Sequence, residues 1–361
     1  MRARILVRRS MRRRCSVLAL GALLAVLVPT VSVTNAAARS QVTITLVTHD
    51  AFAASKSVLR IFTRETGINV RVLRAGDAGA ALSQVILTKG HPLGDVFYGI
   101  DNTFLTRALE AGVFDAYRSP ELTHVPATYV LDARHRVTPI DRADVCINTD
   151  KTWFASHHVA VPKTLDDLTK PAYHGLLVAE NPATSSTGLA FLAATVARFG
   201  EKGWRSYWAK LRANDLQVVA GWEQAYDGAF TAGAGHGDRP LVVSYASSPP
   251  AAVYFADPRP TRSPVGTMLA TCLRQIEFVG VLHGAGHPRA AQRFIDFMLS
   301  RRFQNDMPLQ MFVFPVRDDA TPPKLFTKFA DVPPHPLSLS AAEIGRNRDR
   351  WIQQWTDTVL R

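Results

Sequence analysis

Clusters of polar and aromatic residues recur at five points of the sequence, each directly after an apolar run typical of a β-strand. The clusters are His49-Asp50, Asp101-Asn102, Thr184 to Gly188, Gly221-Trp222 and Ser244 to Ser248. In open α/β sheets, ligands bind beyond the carboxyl ends of the strands. The five clusters therefore predict one ligand cleft that is shared by two α/β halves.

The run Thr184-Ser185-Ser186-Thr187-Gly188 has the composition of an anion site. It precedes a predicted helix, whose first backbone N–H groups lack partners within the helix and attract negative charge. The alternative is simple N-capping, which needs only one hydroxyl. Because four hydroxyl residues stand in a row, we expect this loop to contact the polar tail of a ligand.

Motifs of common enzyme classes do not occur in the sequence. It contains no Gly-x-Ser-x-Gly elbow, no His-Glu-x-x-His and no paired-cysteine zinc spacing. The pair His157-His158 is interpreted as a solvated turn. His283 and His287 are four residues apart, but Gly284-Ala285-Gly286 between them disfavours a helix that would hold a metal. These observations predict a binding protein without catalytic or metal-binding residues.

The elements that position the clusters alternate between strand and helix. Val42 to Thr48 is a β-branched strand, Ser55 to Thr66 is an amphipathic helix that ends at Gly67, and Ile68 to Leu73 is a second strand. The same order begins again with a strand at Leu176 to Ala179 and a helix from Leu189 to Phe199. The pattern predicts the α/β class with a mainly parallel sheet.

The charge of the chain is concentrated at its start. The 361 residues carry a formal charge of +12, but seven arginines fall within the first fourteen residues. An apolar run from Val17 to Val28 and small residues up to Ala38 follow them. This order is typical of a signal peptide over residues 1–38, cleaved near Ala38, with an uncleaved anchor as the alternative. We therefore expect an exported, periplasmic protein, and the basic charge does not indicate a nucleic-acid partner.

Six motifs together resemble one family. In chain order they are Thr48-His49-Asp50-Ala51-Phe52, Gly99-Ile100-Asp101-Asn102, Thr184-Ser185-Ser186-Thr187-Gly188-Leu189, Gly221-Trp222-Glu223-Gln224-Ala225-Tyr226, Ser244-Tyr245-Ala246-Ser247-Ser248-Pro249 and Arg350-Trp351-Ile352-Gln353-Gln354-Trp355. Their order and spacing resemble the thiamine-binding periplasmic proteins of ABC transporters over essentially the whole mature chain. The resemblance implies a class II periplasmic-binding-protein fold, an α/β fold of two lobes with a ligand cleft between them.

The resemblance also implies the lobe boundaries. Residues 41–142 and 277–335 would form a discontinuous first lobe, residues 143–276 the second lobe, and residues 340–361 a C-terminal helix. Ser340 and Glu343 have the spacing of a capping box at the start of that helix.

The implied function is the capture of thiamine for an ABC importer, without chemical turnover. The implied partners are thiamine or its phosphates and a membrane permease, with no cofactor, and the protein is expected to act as a monomer. Two alternatives stay open. One is a receptor of the same fold for iron or a polyamine, and the other is a secreted thiamine-degrading enzyme, which would need a nucleophilic cysteine in the cleft.

Thiamine joins a cationic thiazolium to an aminopyrimidine, so a receptor needs aromatic faces and acidic groups. By similarity, the aromatic faces come from Trp222, Tyr226 and Tyr245, and from Phe312 where the family carries tryptophan. His49 stands where better-known members have tyrosine, and Lys56 stands where they have tryptophan. The remaining expected ligand residues are Asp50, Asp101, Thr184, Ser185, Ser186, Thr187, Gly188 and Ser247.

The mature chain would retain two cysteines, Cys146 and Cys272. An even number in an oxidising compartment allows a disulfide, and two buried thiols are the alternative. Both cysteines lie in strand-like segments near the expected crossover between lobes. We therefore expect them to be close in space and oxidised after export.

Overall fold

The computed structural model describes residues 41–235 and 237–361. These residues contain ten strands and ten α-helices, joined by loops and short helical turns. The strands are β1 (Val42–Thr48), β2 (Ile68–Arg74), β3 (Val96–Asp101), β4 (Phe114–Asp115), β5 (Thr138–Asp150), β6 (Leu177–Glu180), β7 (Gln217–Val219), β8 (Leu241–Tyr245), β9 (Val265–Leu282) and β10 (Phe314–Pro315). The helices are α1 (Lys56–Thr66), α2 (Ala78–Leu87), α3 (Leu105–Ala111), α4 (Lys151–Ser156), α5 (Ser186–Ala213), α6 (Pro249–Tyr254), α7 (Pro288–Leu299), α8 (Arg301–Asp306), α9 (Lys324–Phe329) and α10 (Ala341–Val359). The predicted signal peptide lies outside the described residues.

The first β-α-β unit forms as the sequence predicts. Ser55 caps α1 by accepting a hydrogen bond from the Val58 N–H at 3.1 Å. Gly67 ends the helix in the left-handed region, with φ at 72°, where a side chain would be strained. The strands β1 and β2 then pair in parallel from Val42 to Thr48.

The sheet is mixed, which differs from the mainly parallel sheet that the sequence predicts. Its strand order is β2-β1-β3-β9-β5-β8-β6-β7, with β10 on β5 and β4 on β9. Parallel pairing is confined to the two outer groups, β1 to β3 and β6 to β8, whereas β9 and β5 pair antiparallel with each other and with their neighbours. The local pattern of a strand shows that it is buried and does not show the direction of its partner.

The pairing register explains how strand ends from both halves meet. Strand β3 runs along β9 from Val281 toward Glu277, and β8 runs along β5 from Thr149 toward Val145. Both groups of parallel strands therefore point, from opposite ends, at the middle of the long β5–β9 ribbon. The polar clusters that follow β1, β3, β6, β7 and β8 are brought to this middle region.

Helix boundaries differ from the sequence prediction in the second half. The helix predicted from Leu189 to Phe199 extends to Ala213 as α5, with a break at Gly200, whose φ is 67°. The helical stretch predicted near Leu165 is only two short 3₁₀ turns, Asp166–Thr169 and Pro171–Tyr173. The predicted cap of α10 forms, because Ser340 accepts a hydrogen bond from the Glu343 N–H at 3.1 Å.

The C-terminal helix α10 contacts elements from both ends of the sheet. It packs against α5 through Trp355, whose ring meets Trp208 edge to face at 5.6 Å. It also packs against α3, where the Thr106 hydroxyl donates to the Ala341 carbonyl. Residues 41–361 form one compact unit, and the division into lobes at the predicted boundaries remains a proposal.

Candidate functional site

Three aromatic rings form a cluster at the carboxyl ends of β7 and β8. Trp222 stacks on Tyr226 with ring centroids 5.1 Å apart and planes inclined by 13°, and it lies 6.0 Å from Tyr245. The Trp222 indole N–H donates to the Ser244 hydroxyl at 2.9 Å, which fixes the ring. Tyr226 lies on a π-helical turn, Gln224–Ala229, a rare structure that is frequent at functional sites. The structure thus brings together three of the predicted aromatic residues.

His49 follows β1 and packs against Tyr98 of β3. Their ring centroids are 5.5 Å apart. The imidazole reaches this position because residue 99 is glycine, where a Cβ would fall 2.1 Å from the His49 Cδ2 atom. Burial lowers the pKa of His49 and therefore disfavours the charged imidazole, and its Nε2 atom is buried without a hydrogen-bond partner.

A buried acidic cluster that the sequence did not reveal lies beneath His49. The Tyr98 hydroxyl is 2.5 Å from Asp141 Oδ2 and 2.8 Å from Glu277 Oε2. A hydroxyl has one proton to donate, so both contacts are hydrogen bonds only when one carboxyl is protonated. Burial and the neighbouring Glu277 raise the pKa of Asp141 well above its ordinary value, and burial raises the pKa of Glu277 to about 7. His49 Nε2 lies 3.8 Å from Glu277 Oε1.

Asp101 accepts hydrogen bonds within the turn before α3 and keeps one carboxyl oxygen without a partner. Its Oδ1 accepts hydrogen bonds from the Thr103 N–H, the Thr103 hydroxyl and the Phe104 N–H at the start of α3. Its Oδ2 is buried and has no partner. Burial raises the pKa of Asp101 to about 7 although those bonds lower it. Phe104, not Asp101, is the N-cap of α3, and that helix has no side-chain cap bond, so the expected capping alternative is not found. The ligand role stays a prediction for the second oxygen.

The hydroxyl loop makes several bonds within the protein. The Thr184 hydroxyl donates to the Ala220 carbonyl at 2.6 Å. Ser185 caps α5 through the Gly188 N–H and contacts the Thr187 hydroxyl at 2.9 Å. The Ser186 hydroxyl lies 3.4 Å from the Gln275 amide nitrogen. Capping explains Ser185, and the predicted contact between this loop and a ligand tail remains a proposal.

Residues from the two ends of the sheet touch across the site. Asp77, which caps α2, accepts a hydrogen bond from the backbone N–H of Trp222 at 2.7 Å. The Gly79 and Ala80 N–H groups donate to the Thr184 carbonyl at 3.0 and 3.1 Å. A Cβ at position 79 would fall 2.8 Å from that carbonyl, so glycine permits the close approach. The polar ends of the two groups of parallel strands, which form the two walls of the site, are therefore in contact.

The remaining predicted ligand residues lie in different surroundings. Asp50 accepts a hydrogen bond from the Gly76 N–H, and Ser247 is buried with an unpartnered hydroxyl. Phe312 packs against Tyr254 and Phe255 at 5.9 and 5.5 Å. The roles of Asp50, Ser247 and Phe312 toward a ligand stay predictions. Lys56, which stands at the position of a family tryptophan and was not expected to bind the ligand, is exposed at the start of α1.

Cys146 and Cys272 are joined by a disulfide in the structure. Their Cα atoms are 4.2 Å apart, and both residues are fully buried. The bond lies where the β5–β9 register shifts, between Val145 and Ile147. It therefore ties together the two central strands close to the candidate site.

Several residues at the site were missed by the sequence interpretation. They are Asp77, Tyr98, Asp141, Glu180 and Glu277. A charged residue within an apolar strand, as in Ile276-Glu277-Phe278, is the available signal for Glu277. Among the described residues, only the surface group His124, Asp318 and Asp319 brings three potential metal ligands together. No helix among those residues has the length and apolar character needed to cross a bilayer.

Comparisons with known proteins agree with this fold. Residues 91–330 match the family described as bacterial extracellular solute-binding protein. The chain is 26% identical to the thiamine-binding periplasmic protein of Escherichia coli (strain K12), over 88% of this chain and 94% of that protein. A solved periplasmic thiamin binding protein superposes with a TM-score of 0.77 at 25% identity, over 88% of this chain and 96% of the other. The ferric binding protein from Campylobacter jejuni superposes with a TM-score of 0.71 at 19% identity, covering 87% and 99% of the two chains.

The matched family is one of binding proteins rather than enzymes, and the similar proteins are periplasmic. The fold is that of the class II periplasmic binding proteins, as expected from the motifs. Because the family match spans more than half of the chain, this protein belongs to the bacterial extracellular solute-binding proteins.

Proposed function

We propose that this protein binds thiamine outside the cytoplasm and delivers it to the membrane permease of an ABC importer. The observation that carries the proposal is the aromatic cluster of Trp222, Tyr226 and Tyr245 beside buried carboxyl groups. A cation over an aromatic face gains about 0.5–2 kcal/mol when it is desolvated. Aromatic faces and carboxyl groups together match a thiazolium cation joined to an aromatic pyrimidine.

The similar proteins support thiamine in particular. Relatives named as thiamine-binding are about a quarter identical to this chain over most of its length. The ferric binding neighbours share the fold at lower identity. The acids of the candidate site do not converge in a group of three that could hold a ferric ion, among the residues that the structure describes. No adjacent tyrosine pair occurs in the sequence.

Export and delivery complete the proposal. Cleavage near Ala38 would release a mature chain that starts just before β1. The two walls that meet through Asp77 and Trp222 would separate to admit the ligand and close on it, and the closed form would dock on the permease. The degrading-enzyme alternative loses its nucleophile, because Cys146 and Cys272 are buried in a disulfide.

Calorimetric titration of the mature protein with thiamine tests the proposal. The variant Trp222→Ala should weaken thiamine binding at least tenfold, equivalent to about 1.4 kcal/mol, because it removes the central ring of the cluster. Trp153→Ala is the matched control. That ring stacks on His157 at 4.0 Å on α4, beyond the start of β8 and away from the site.

The outcomes separate the candidate ligands. Thiamine binding that is weakened only by the Trp222 variant supports the proposal. Absence of thiamine binding, with binding of spermidine or ferric ion instead, would assign the protein to one of the alternative receptors of the same fold. Equal losses in the two tryptophan variants would remove Trp222 from the site.

A further inference from the structure

A tyrosine hydroxyl and two carboxyl groups form a cluster beneath the candidate site. Tyr98 Oη lies 2.5 Å from Asp141 Oδ2 and 2.8 Å from Glu277 Oε2. The strand register places Asp141 on β5 opposite Glu277 on β9. A phenol has only one proton, so hydrogen bonds join all three oxygens only when the two carboxyl groups share a second proton. The cluster therefore holds one proton that can exchange.

Acidic groups surround this cluster, and among the described residues no lysine or arginine forms an ion pair with either of its carboxyl groups. The titratable side chains that face the cluster or the adjacent imidazole are His49, Asp50, Asp77, Asp101, Glu223 and Tyr245. Arg74, which lies near Glu223, donates to the backbone carbonyls of Asp50 and Phe52. Negative charges that lie close together favour protonation of one of them.

The surroundings of the cluster keep its proton bound near neutral pH. Burial raises the pKa of Glu277 to about 7, although the hydrogen bond from Tyr98 lowers it. Burial and the neighbouring Glu277 raise the pKa of Asp141 well above its ordinary value. Burial also lowers the pKa of His49 and so disfavours the one cationic side chain that could act as an internal counter-ion.

Glu277 is the carboxyl group of the cluster that reaches the candidate site. Its side chain is 9% exposed, whereas Asp141 is fully buried. Its Oε2 faces Tyr98, and its Oε1 lies 3.8 Å from the unpartnered Nε2 of His49. After burial, Glu277 is also the group that most raises the pKa of Tyr245, whose ring lies 6.0 Å from that of Trp222. A cation held by the aromatic rings would therefore come close to Glu277.

We propose that Tyr98, Asp141 and Glu277 form a proton-linked counter-ion site, in which a bound thiazolium cation replaces the proton that the two carboxyl groups share. The inference rests on the proposed function and adds to it the regulation of binding by pH. On binding, the O–H bond of the protonated carboxyl group breaks, its electron pair stays on the carboxylate, and the proton passes to the solvent. Glu277 then faces the cation as a carboxylate, and Asp141 keeps the hydrogen bond from Tyr98.

The direction and size of the linkage follow from the charge of the ligand. A cation near a carboxyl group favours the ionised form and lowers the pKa of that group. If the pKa of Glu277 falls by one unit from about 7, binding releases about 0.4 proton per ligand at pH 7. The same shift makes binding about fivefold tighter at pH 8 than at pH 6.

Calorimetric titration of the mature protein with thiamine at pH 7 in PIPES, MOPS and TES counts the released protons. The observed enthalpy changes with the ionisation enthalpy of the buffer in proportion to the number of protons that binding releases. The wild type should release about 0.4 proton per ligand or more. Glu277→Gln should release less than half of the wild-type amount and should bind thiamine with a weaker dependence on pH. Glu110→Gln, the same change on the exposed face of α3, should release as many protons as the wild type.

The proton count of the wild type tests the proposal even when Glu277→Gln fails to fold, and Asp141→Asn provides a second variant with the same expected direction. Thiamine binding without proton release would overturn this inference and leave the proposed function standing. Failure of thiamine itself to bind would overturn both. Full proton release in folded Glu277→Gln would assign the proton to another group and overturn the role of this cluster.

Discussion

The buried carboxyl groups predict that the ligand-free protein loses stability as the pH rises. Burial raises the pKa of Glu277 from 4.5 to about 7 and that of Asp101 from 3.8 to about 7. Between about pH 4 and pH 7, the folded chain therefore binds protons that the unfolded chain has released. The free energy of unfolding then falls with pH, because the native state holds more protons. The stabilisation is complete below the unfolded pKa values and is lost as the pH passes through about 7.

The size of the effect follows from the two pKa values of Glu277. Its shift from 4.5 to about 7 corresponds to about 3 kcal/mol, at roughly 1.4 kcal/mol per pH unit. Most of this loss falls between pH 5 and pH 8. Asp101 contributes to the raised pKa of Glu277, so the losses from the two groups do not simply add. The contribution of Glu277 is therefore measured with a variant of that residue alone.

Urea unfolding of ligand-free wild type and Glu277→Gln at pH 5, 6, 7 and 8 measures the effect. The glutamine cannot ionise, so the difference in unfolding free energy between the two proteins should change by about 2–3 kcal/mol from pH 5 to pH 8, in favour of the variant at high pH. Saturating thiamine should reduce the slope in the wild type, because a cation stabilises the ionised carboxyl. A difference between the two proteins that does not vary with pH would refute the protonation of Glu277 in the folded, ligand-free protein.

Two other predictions concern the disulfide and the hydroxyl loop. The unreduced, denatured mature protein should show no free thiol, and reduction should lower its stability by roughly 4–5 kcal/mol, because Cys146 and Cys272 are 126 residues apart. Two free thiols per chain would contradict oxidation after export. The double variant Ser185→Ala, Ser186→Ala should lower the unfolding free energy by about 1 kcal/mol through loss of the α5 cap. Because the loop is proposed to contact the ligand tail, the variant should also weaken binding of thiamine phosphates more than binding of free thiamine. Equal losses for thiamine, its monophosphate and its diphosphate would mean that the loop only caps its helix.

The strand ends that carry the candidate site could be predicted from the sequence because their signals are local. A polar or aromatic residue after an apolar run, such as Trp222 after β7 or Asp101 at the end of β3, is visible without knowledge of the fold. The cap at Ser55 and the left-handed Gly67 are equally local, and the structure contains both. Features of this kind depend on neighbours within a few residues.

Asp101, Glu277 and Asp141 lie side by side on β3, β9 and β5 and form an acidic row. This row could not be predicted in the same way, because it depends on pairing between distant strands. Asp141 and Glu277 are 136 positions apart in the numbering and become neighbours only through the β5–β9 register. Each taken alone is an isolated acid within a strand. The mixed sheet was missed for the same reason, since burial makes an antiparallel central strand as apolar as a parallel one.

The opposed directions of the two strand groups explain why a ligand would couple the walls of the site. The walls are joined by hydrogen bonds from the Trp222 backbone N–H to Asp77 and from the Gly79 and Ala80 N–H groups to the Thr184 carbonyl. Each such bond contributes only about 0.5–1.5 kcal/mol net. A cation that contacts Trp222 on one wall and Glu277 in the central ribbon would add interactions available only when the walls are together. A ligand shifts such an equilibrium only by its difference in affinity for the two arrangements, so the aromatic faces and the acidic row must both be reached in the closed form.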